Sequence, residues 1–373
     1  MVGLDGLRGT MATLAFIALG ICYLLPAAGK GQVVPKPVVM SENFSKPERL
    51  ADQPVLQPRP GFPDSAGAFN PSVVKVSGNE YVMLYRMQDN KGVSSIGYAS
   101  SKDGVHFIAE DKPVLFPTRP DERMGIEDPR VHLSMIEPGA YDMTATVYDG
   151  KDAQLALFRS RDLRSWQRIS IDWKPGKNGT WNINWTKSGA IVPKKINGKY
   201  WMYYLGDTPG EVPATEPGGL PRPGDLPVRN EMGLACSEDG ILWKDATQKP
   251  VLPGRAGKFD SRVVEPGPAP IITRDGIMLL YNGADDRLAY RTGWVLFDKT
   301  DPARVIARCD QPIFEPELSW EKKVASDKIF QAANVVFVEG MVPEADHYKI
   351  YYGAADSRVG VAKIKLVPSD RRK

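Results

Sequence analysis

The stretch "GIEDPRV", residues 125–131, sets Glu127 and Asp128 against Pro129, with Arg123 and Arg130 on either side. Carboxylates so placed serve either a surface turn or general acid–base chemistry. Proline disfavours helical backbone in the residue before it, so Asp128 is expected to be extended and to open a strand. With a period of two, Asp128 and Arg130 then share one face, and Glu127 and Pro129 the other. Taken alone, the motif reads as a structural ion pair between Asp128 and Arg130. A catalytic reading needs further polar groups gathered from elsewhere in the chain.

Such groups interrupt apolar runs at several places: Asn70 in "AFNPSVV", Arg86 closing "EYVMLYR", Lys187 in "NWTKSGAIVP", Glu231 in "RNEMGLACS", Glu265 in "VVEPGPAPII", Asn282 in "LYNGADD" and Asp356 in "YGAADSR". Turn formation accounts for Asn70, Asn282 and Asp356, and a solvated rim for Arg86, Lys187 and Glu231. Glu265 resists so plain a reading, because Pro-Gly-Pro-type rigidity follows it directly. The three histidines show no zinc-site spacing. With no glycine-rich phosphate loop and no nucleophile elbow either, neither metal nor cofactor is expected. Many carboxylates together with 8 Trp and 14 Tyr suit sugar chemistry, in which two acids carry out displacement and aromatic rings stack on pyranose faces.

The elements that must position these residues are strands. No long amphipathic period appears after residue 66, whereas "EYVMLYR" (80–86), "YDMTATVYD" (141–149), "KYWMYYLGD" (199–207), "GIMLLYNGADD" (276–286) and "YKIYYGAADS" (348–357) are apolar-aromatic runs with polar ends. The first three recur about 60 residues apart, and loops stretch the later intervals. A second signature, Ser-x-Asp-x-x-x-aromatic, follows three of them in "SKDGVHF", "SRDLRSW" and "SEDGILW". Five such repeats predict an all-β fold, a five-bladed β-propeller over 66–373, with function at the centre where strand ends converge.

Arg8, the apolar run "MATLAFIALGICYLL" (11–25) and the small residues after it read as an export signal or an uncleaved anchor within residues 1–29. Residues 30–65, rich in Pro and Lys, read as a linker. The net charge of +3, without a basic cluster, leaves no footprint for nucleic acid. Membrane contact is expected only through the N-terminal segment. Cys236 and Cys309 are expected to remain unpaired.

Taken together, "GIEDPRV", "FNPSVV", "LYR", the Ser-x-Asp-Gly turns, "PGPAPIITRDGIMLLYNGADD" and "IYYGAADSRVGVA" resemble glycoside hydrolase family 130, the five-bladed β-mannoside phosphorylases and β-1,2-mannosidases. The resemblance implies inverting attack on a β-mannosidic bond with Asp128 as general acid, its proton relayed through a mannose hydroxyl in phosphorylases. It also implies that Asn70, Arg86, Lys187 and Asp356 line the sugar and nucleophile subsites, and Arg130, Tyr204 and Asn282 complete the expected binding set. The chain departs from the phosphorylase pattern. Tyr204-Leu205 stands where His-Arg is usual, and Tyr281-Asn282-Gly283 where Tyr-His-Gly is usual. Loss of donors for a doubly charged phosphate favours water as nucleophile, activated by Glu265 or, failing that, Glu231. The expectation is therefore hydrolysis of β-mannosides with inversion. Phosphorolysis to mannose 1-phosphate and a noncatalytic glycan-binding propeller are the alternatives.

Overall fold

In "EYVMLYRM" alternate residues serve two different cores. Tyr81, Met83, Tyr85 and Met87 pack with Tyr351, Val359 and Val361, while Val82 and Leu84 pack with Met143, Ala145, Val147 and Phe158. A strand buried on both faces by separate neighbours is a layer between two other sheets. Each fully buried Leu, Val or Met contributes about 1.5–3 kcal/mol. The same division recurs at Tyr203, whose core differs from that of Met202 and Tyr204.

The computed structural model describes residues 42–169, 181–209, 228–322, 332 and 334–368. These residues are almost wholly β-strand and loop, with two short 3-10 turns. Apart from the pair Glu42–Phe44 with Leu366–Pro368 and the short Ile271–Ile272, the strands fall into five antiparallel units of four. Their first strands are Gly67–Ser77, Gly125–Leu133, Thr186–Ile191, Val263–Pro266 and Asn334–Pro343, and their second strands are Glu80–Gln88, Tyr141–Tyr148, Tyr200–Pro209, Ile277–Ala284 and Tyr348–Ala354. Each of the five apolar-aromatic repeats thus forms a second strand. Third strands pair in parallel with the next unit's first strand at Ser94↔Gly125, Asn230↔Val263 and Ala289↔Asn334.

The Ser-x-Asp signature makes one kind of turn three times. Asp103, Asp162 and Asp239 each accept from the backbone N–H two and three residues later at 2.7–2.9 Å. Side-chain-to-backbone bonds of this sort let a short polar residue end a strand. Trp166 and Trp243 then donate back to the carbonyls of Leu163 and Gly240.

The expected linker needs correction. Glu48–Arg49 pairs with Arg358–Ile364 and supplies the fourth strand of the last unit, and Glu42–Phe44 pairs with Leu366–Pro368. "VLQPRPGFPDS" (55–65) is a copy of the connectors "VLFPTRPDERM" (114–124), "VLPGRAGKFDS" (251–261) and "IFEPELSWE" (313–321). In each, a Leu or Phe bridges a third strand: Leu56↔Val359, Leu115↔Ile96, Leu252↔Met232 and Phe314↔Thr292. In each, an acid is then buried: Asp64, Glu122, Asp260 and Glu321. Arg59, Arg255 and Arg49 neutralise three of these acids, and a second-strand tyrosine, Tyr85, Tyr281 or Tyr352, donates to the same carboxylates. The high proline content thus reflects rigid connectors rather than a tether. Residues 1–41, which hold the expected export signal and the start of the linker, lie outside the described residues. Cys236 and Cys309 are free and buried.

Candidate active site

Three first strands carry the same irregularity. The ladder slips between Phe69 and Ser72, between Glu127 and Arg130, and between Lys187 and Ala190. At each slip one residue is left-handed: Asn70 at φ 49°, Asp128 at 55° and Ser188 at 58°. A bulge of this kind re-aims a side chain out of the sheet's alternation. Strained backbone in non-glycine residues of this type concentrates at functional sites.

The extended conformation expected for Asp128 is therefore corrected, and so is the sharing of one face by Asp128 and Arg130. Tertiary packing overrides the preference imposed by Pro129. As a result Glu127 and Asp128 both meet Arg86, with Nη2 donating to Glu127 at 2.7 Å and Nη1 to Asp128 at 3.3 Å. Asn70 Nδ2 donates to Asp128 at 2.8 Å. Arg86 also donates to Ser94 and lies over the Phe69 ring.

A cleft of about 210 Å³ opens over these groups. Asn70, Arg86, Asp128, Lys187, Glu265 and Asp356 line it, joined by Trp185, Asn230 and Tyr290. Six of the residues singled out in the sequence are thus brought together from all five units. Glu265 accepts a short hydrogen bond from Ser188. Asp356, left-handed at φ 49° in the turn after the last second strand, accepts from Ala332 N at 2.8 Å. Lys187 Nζ stands 4.7 Å from the Trp185 ring and makes no ion pair among the described residues.

Burial would raise the Asp128 carboxyl, but Arg86 above all, then Lys187, the Asn70 bond and Arg130, hold it below the usual carboxylate range. Burial prevails at Glu265, which is raised despite Ser188 and Arg130. Burial likewise pushes Asp356 up to about 7.

Four expected site residues lie elsewhere. Glu231 accepts from Thr208 and from Gly254 N at 3.0 Å, fastening a connector. Tyr204 donates to Asp245 at 2.6 Å and stacks on Trp181. Asn282 bridges to the Val338 backbone and accepts from Thr292. Arg130 runs beneath the cleft to the carbonyls of Pro266 and Gly267 and does not pair with the Asp128 carboxylate. In each case the polar group is engaged by backbone or by a neighbouring side chain, and none of the four lines the cleft. The sequence reading missed Trp185, Ser188, Asn230 and Tyr290. Ser188 was findable, because "KSG" occupies the place of "FNP" and "EDP" in its unit.

Residues 55–368 match a family model described as beta-1,4-mannooligosaccharide phosphorylase, Glyco_hydro_130. A 1,2-beta-oligomannan phosphorylase of Thermoanaerobacter sp. is 34% identical, over 86% of this chain and 98% of its own. A beta-1,2-mannobiose phosphorylase of the same organism is 33% identical, over 85% and 96%. A solved structure at 32% identity, covering 88% of this chain and 96% of the other with a TM-score of 0.71, is described under the GH130 family of mannoside phosphorylases that contains glycoside hydrolases targeting β-1,2 mannosidic linkages in Candida mannan.

The named activity of these curated relatives and of the family model overturns the hydrolysis expected from sequence. Of the departures that argued against phosphate, Tyr204 and Asn282 lie outside the cleft, whereas Leu205 lines it.

Proposed function

The chain belongs to glycoside hydrolase family 130, and on that premise we propose that it cleaves β-1,2-linked mannosides by phosphorolysis, releasing mannose 1-phosphate. The observation that carries this reading is Lys187, a cation that makes no salt bridge among the described residues, in the same cleft as Asp128. A neutral water needs no such charge, whereas each charge-assisted bond to an anion is worth about 1.5–3 kcal/mol.

Asp128 delivers a proton to the glycosidic oxygen, directly or through a mannose hydroxyl, as the C1–O bond breaks. A phosphate oxygen on the opposite face forms the new bond to C1, and the proton departs with the leaving sugar. An acid held below its usual range is a poor donor. Phosphate at Lys187 and Arg86 offsets the positive field that depresses Asp128, so nucleophile binding itself raises the acid's proton affinity. Glu265 and Asp356, raised by burial, are suited to hold mannose hydroxyls. The five units close as a five-bladed propeller in this reading. Contacts of the last unit with the first support it: Ala68 N donates to Ser357 O at 3.0 Å, and Leu56 bridges Val359.

The test is product formation from β-1,2-mannobiose with and without inorganic phosphate. Mannose 1-phosphate that appears only with phosphate is expected. Free mannose produced at an equal rate without phosphate would overturn the reading, and binding without any turnover would favour a glycan-binding role.

Asp356 gives the reaction a pH signature. It is neutral below about 7 and adds a negative charge to the cleft above, so the KM for phosphate is expected to rise as pH increases through 7. In D356N that rise should shrink to what the titration of phosphate itself produces. A wild-type profile that superimposes on that of D356N would remove Asp356 from anion recognition.

A further inference from the structure

Beneath the cleft, the first strand of the last unit has its own bulge between Val338 and Gly340, and this points Glu339 inward. Glu339 is 1% exposed, and neither of its carboxyl oxygens has a hydrogen-bond partner. Arg130 Nη1 lies 3.1 Å from Oε1 but off the line of a hydrogen bond. Both side chains border a small cavity of about 40 Å³, together with Ser72, His132 and Pro268. That is room for about three waters. An unbonded buried carboxyl costs several kcal/mol, and well-packed apolar residues are often as stable or more so. A purely structural account therefore leaves Glu339 unexplained.

Arg130 shows what the carboxyl does. It starts two residues beyond Asp128, crosses under the cleft and donates at 2.9 Å to both Pro266 O and Gly267 O, the carbonyls next after Glu265. Its Nη1 also reaches the main-chain oxygen of Asp128 at 3.3 Å. One guanidinium thus ties the backbone under Asp128 to the backbone behind Glu265. Without that carboxyl beside it, the guanidinium would turn toward the nearest carboxylates, Asp128 and Glu265, both within electrostatic reach of it.

We infer that Glu339 is a positioning residue: its carboxyl, 3.1 Å from Arg130 Nη1 below the cleft, keeps the guanidinium on the Pro266 and Gly267 carbonyls and so fixes the separation of Asp128 and Glu265. The inference rests on the phosphorolytic reading for its effect on rate. Wild type, E339Q and E339L are assayed for mannose 1-phosphate release from β-1,2-mannobiose at saturating phosphate. E339L is expected to lose roughly 100-fold in kcat, the cost of about 1 Å of misplacement, with KM for mannobiose changed by less than about threefold. E339Q, which keeps an acceptor of the same shape, should recover to within about tenfold of wild type. A kcat for folded E339L within about twofold of wild type would overturn the inference, and so would a loss confined to KM. If E339L does not fold, R130K, which keeps the charge without the fork, is expected to show the same kcat loss. Unchanged kcat in R130K would count equally against it. If wild type itself releases no mannose 1-phosphate, phosphorolysis is what has failed. Positioning is then decided by crystal structures of wild type and E339L: Arg130 on the Pro266 and Gly267 carbonyls in wild type and displaced in E339L supports it, and Arg130 on them in both, or off them in wild type, overturns it.

Discussion

Replacing Asp128 by Asn is expected to slow phosphorolysis of mannobiose by roughly 10²–10⁴-fold, the range of a general acid lost from the transition state. The fold should survive the change. The asparagine carbonyl still accepts from Asn70 Nδ2 and Arg86 Nη1, which now meet at the carboxylate. The loss should depend on the leaving group. An aryl mannoside whose phenolate needs no proton should recover most of the rate, because the missing function is proton delivery and not binding. Comparing kcat on mannobiose with kcat on such an aryl mannoside measures this directly. Equal losses on both substrates would mean that Asp128 binds sugar or phosphate instead.

Arg86→Met is the second large effect, and it acts on stability as well as turnover. Arg86 is the buried partner of both Glu127 and Asp128. Removing one side of a buried ion pair leaves unpaired charge in low dielectric, at a cost of about 3–5 kcal/mol. The pH dependence has a defined sign. Arg86 is the chief cause holding the folded Asp128 below its ordinary value, against burial. That interaction therefore contributes stability above the unfolded aspartate value of about 3.9 and loses it as pH falls through the lower folded value. Urea denaturation should show the full deficit of R86M at pH 7 and a smaller one under acid conditions. A constant deficit across this range would show that lost packing on Phe69 dominates, since the guanidinium also lies 4.8 Å above that ring. Turnover should fall too, because the cleft loses one of its two cations.

How far the site was legible in the sequence can be judged from individual residues. Asp128, Lys187 and Glu265 stood out because a charge interrupting an apolar run beside Pro or Gly has few inexpensive structural explanations. Glu231 and Asn282 showed the same signal and proved to be internal fastenings. The sequence alone does not distinguish a polar group that fastens backbone from one that faces a ligand, because both break the apolar pattern in the same way. Ser188 gave a weaker signal still, for a small hydroxyl residue before glycine resembles any turn.

Local chemistry determined the strands themselves: the five aromatic runs, the Ser-x-Asp turns and, in hindsight, the copied connectors all repeat in the sequence and take the same form each time. The tertiary structure alone decided which side chains meet. Asp128 adopts a left-handed conformation that Pro129 opposes, Arg130 turns away from its near neighbour to a strand more than a hundred residues distant, and Glu339 is drawn beneath the cleft. The physical reason is that a bulge shifts which way a side chain points, and its presence is set by how neighbouring sheets pack and not by the residues flanking it.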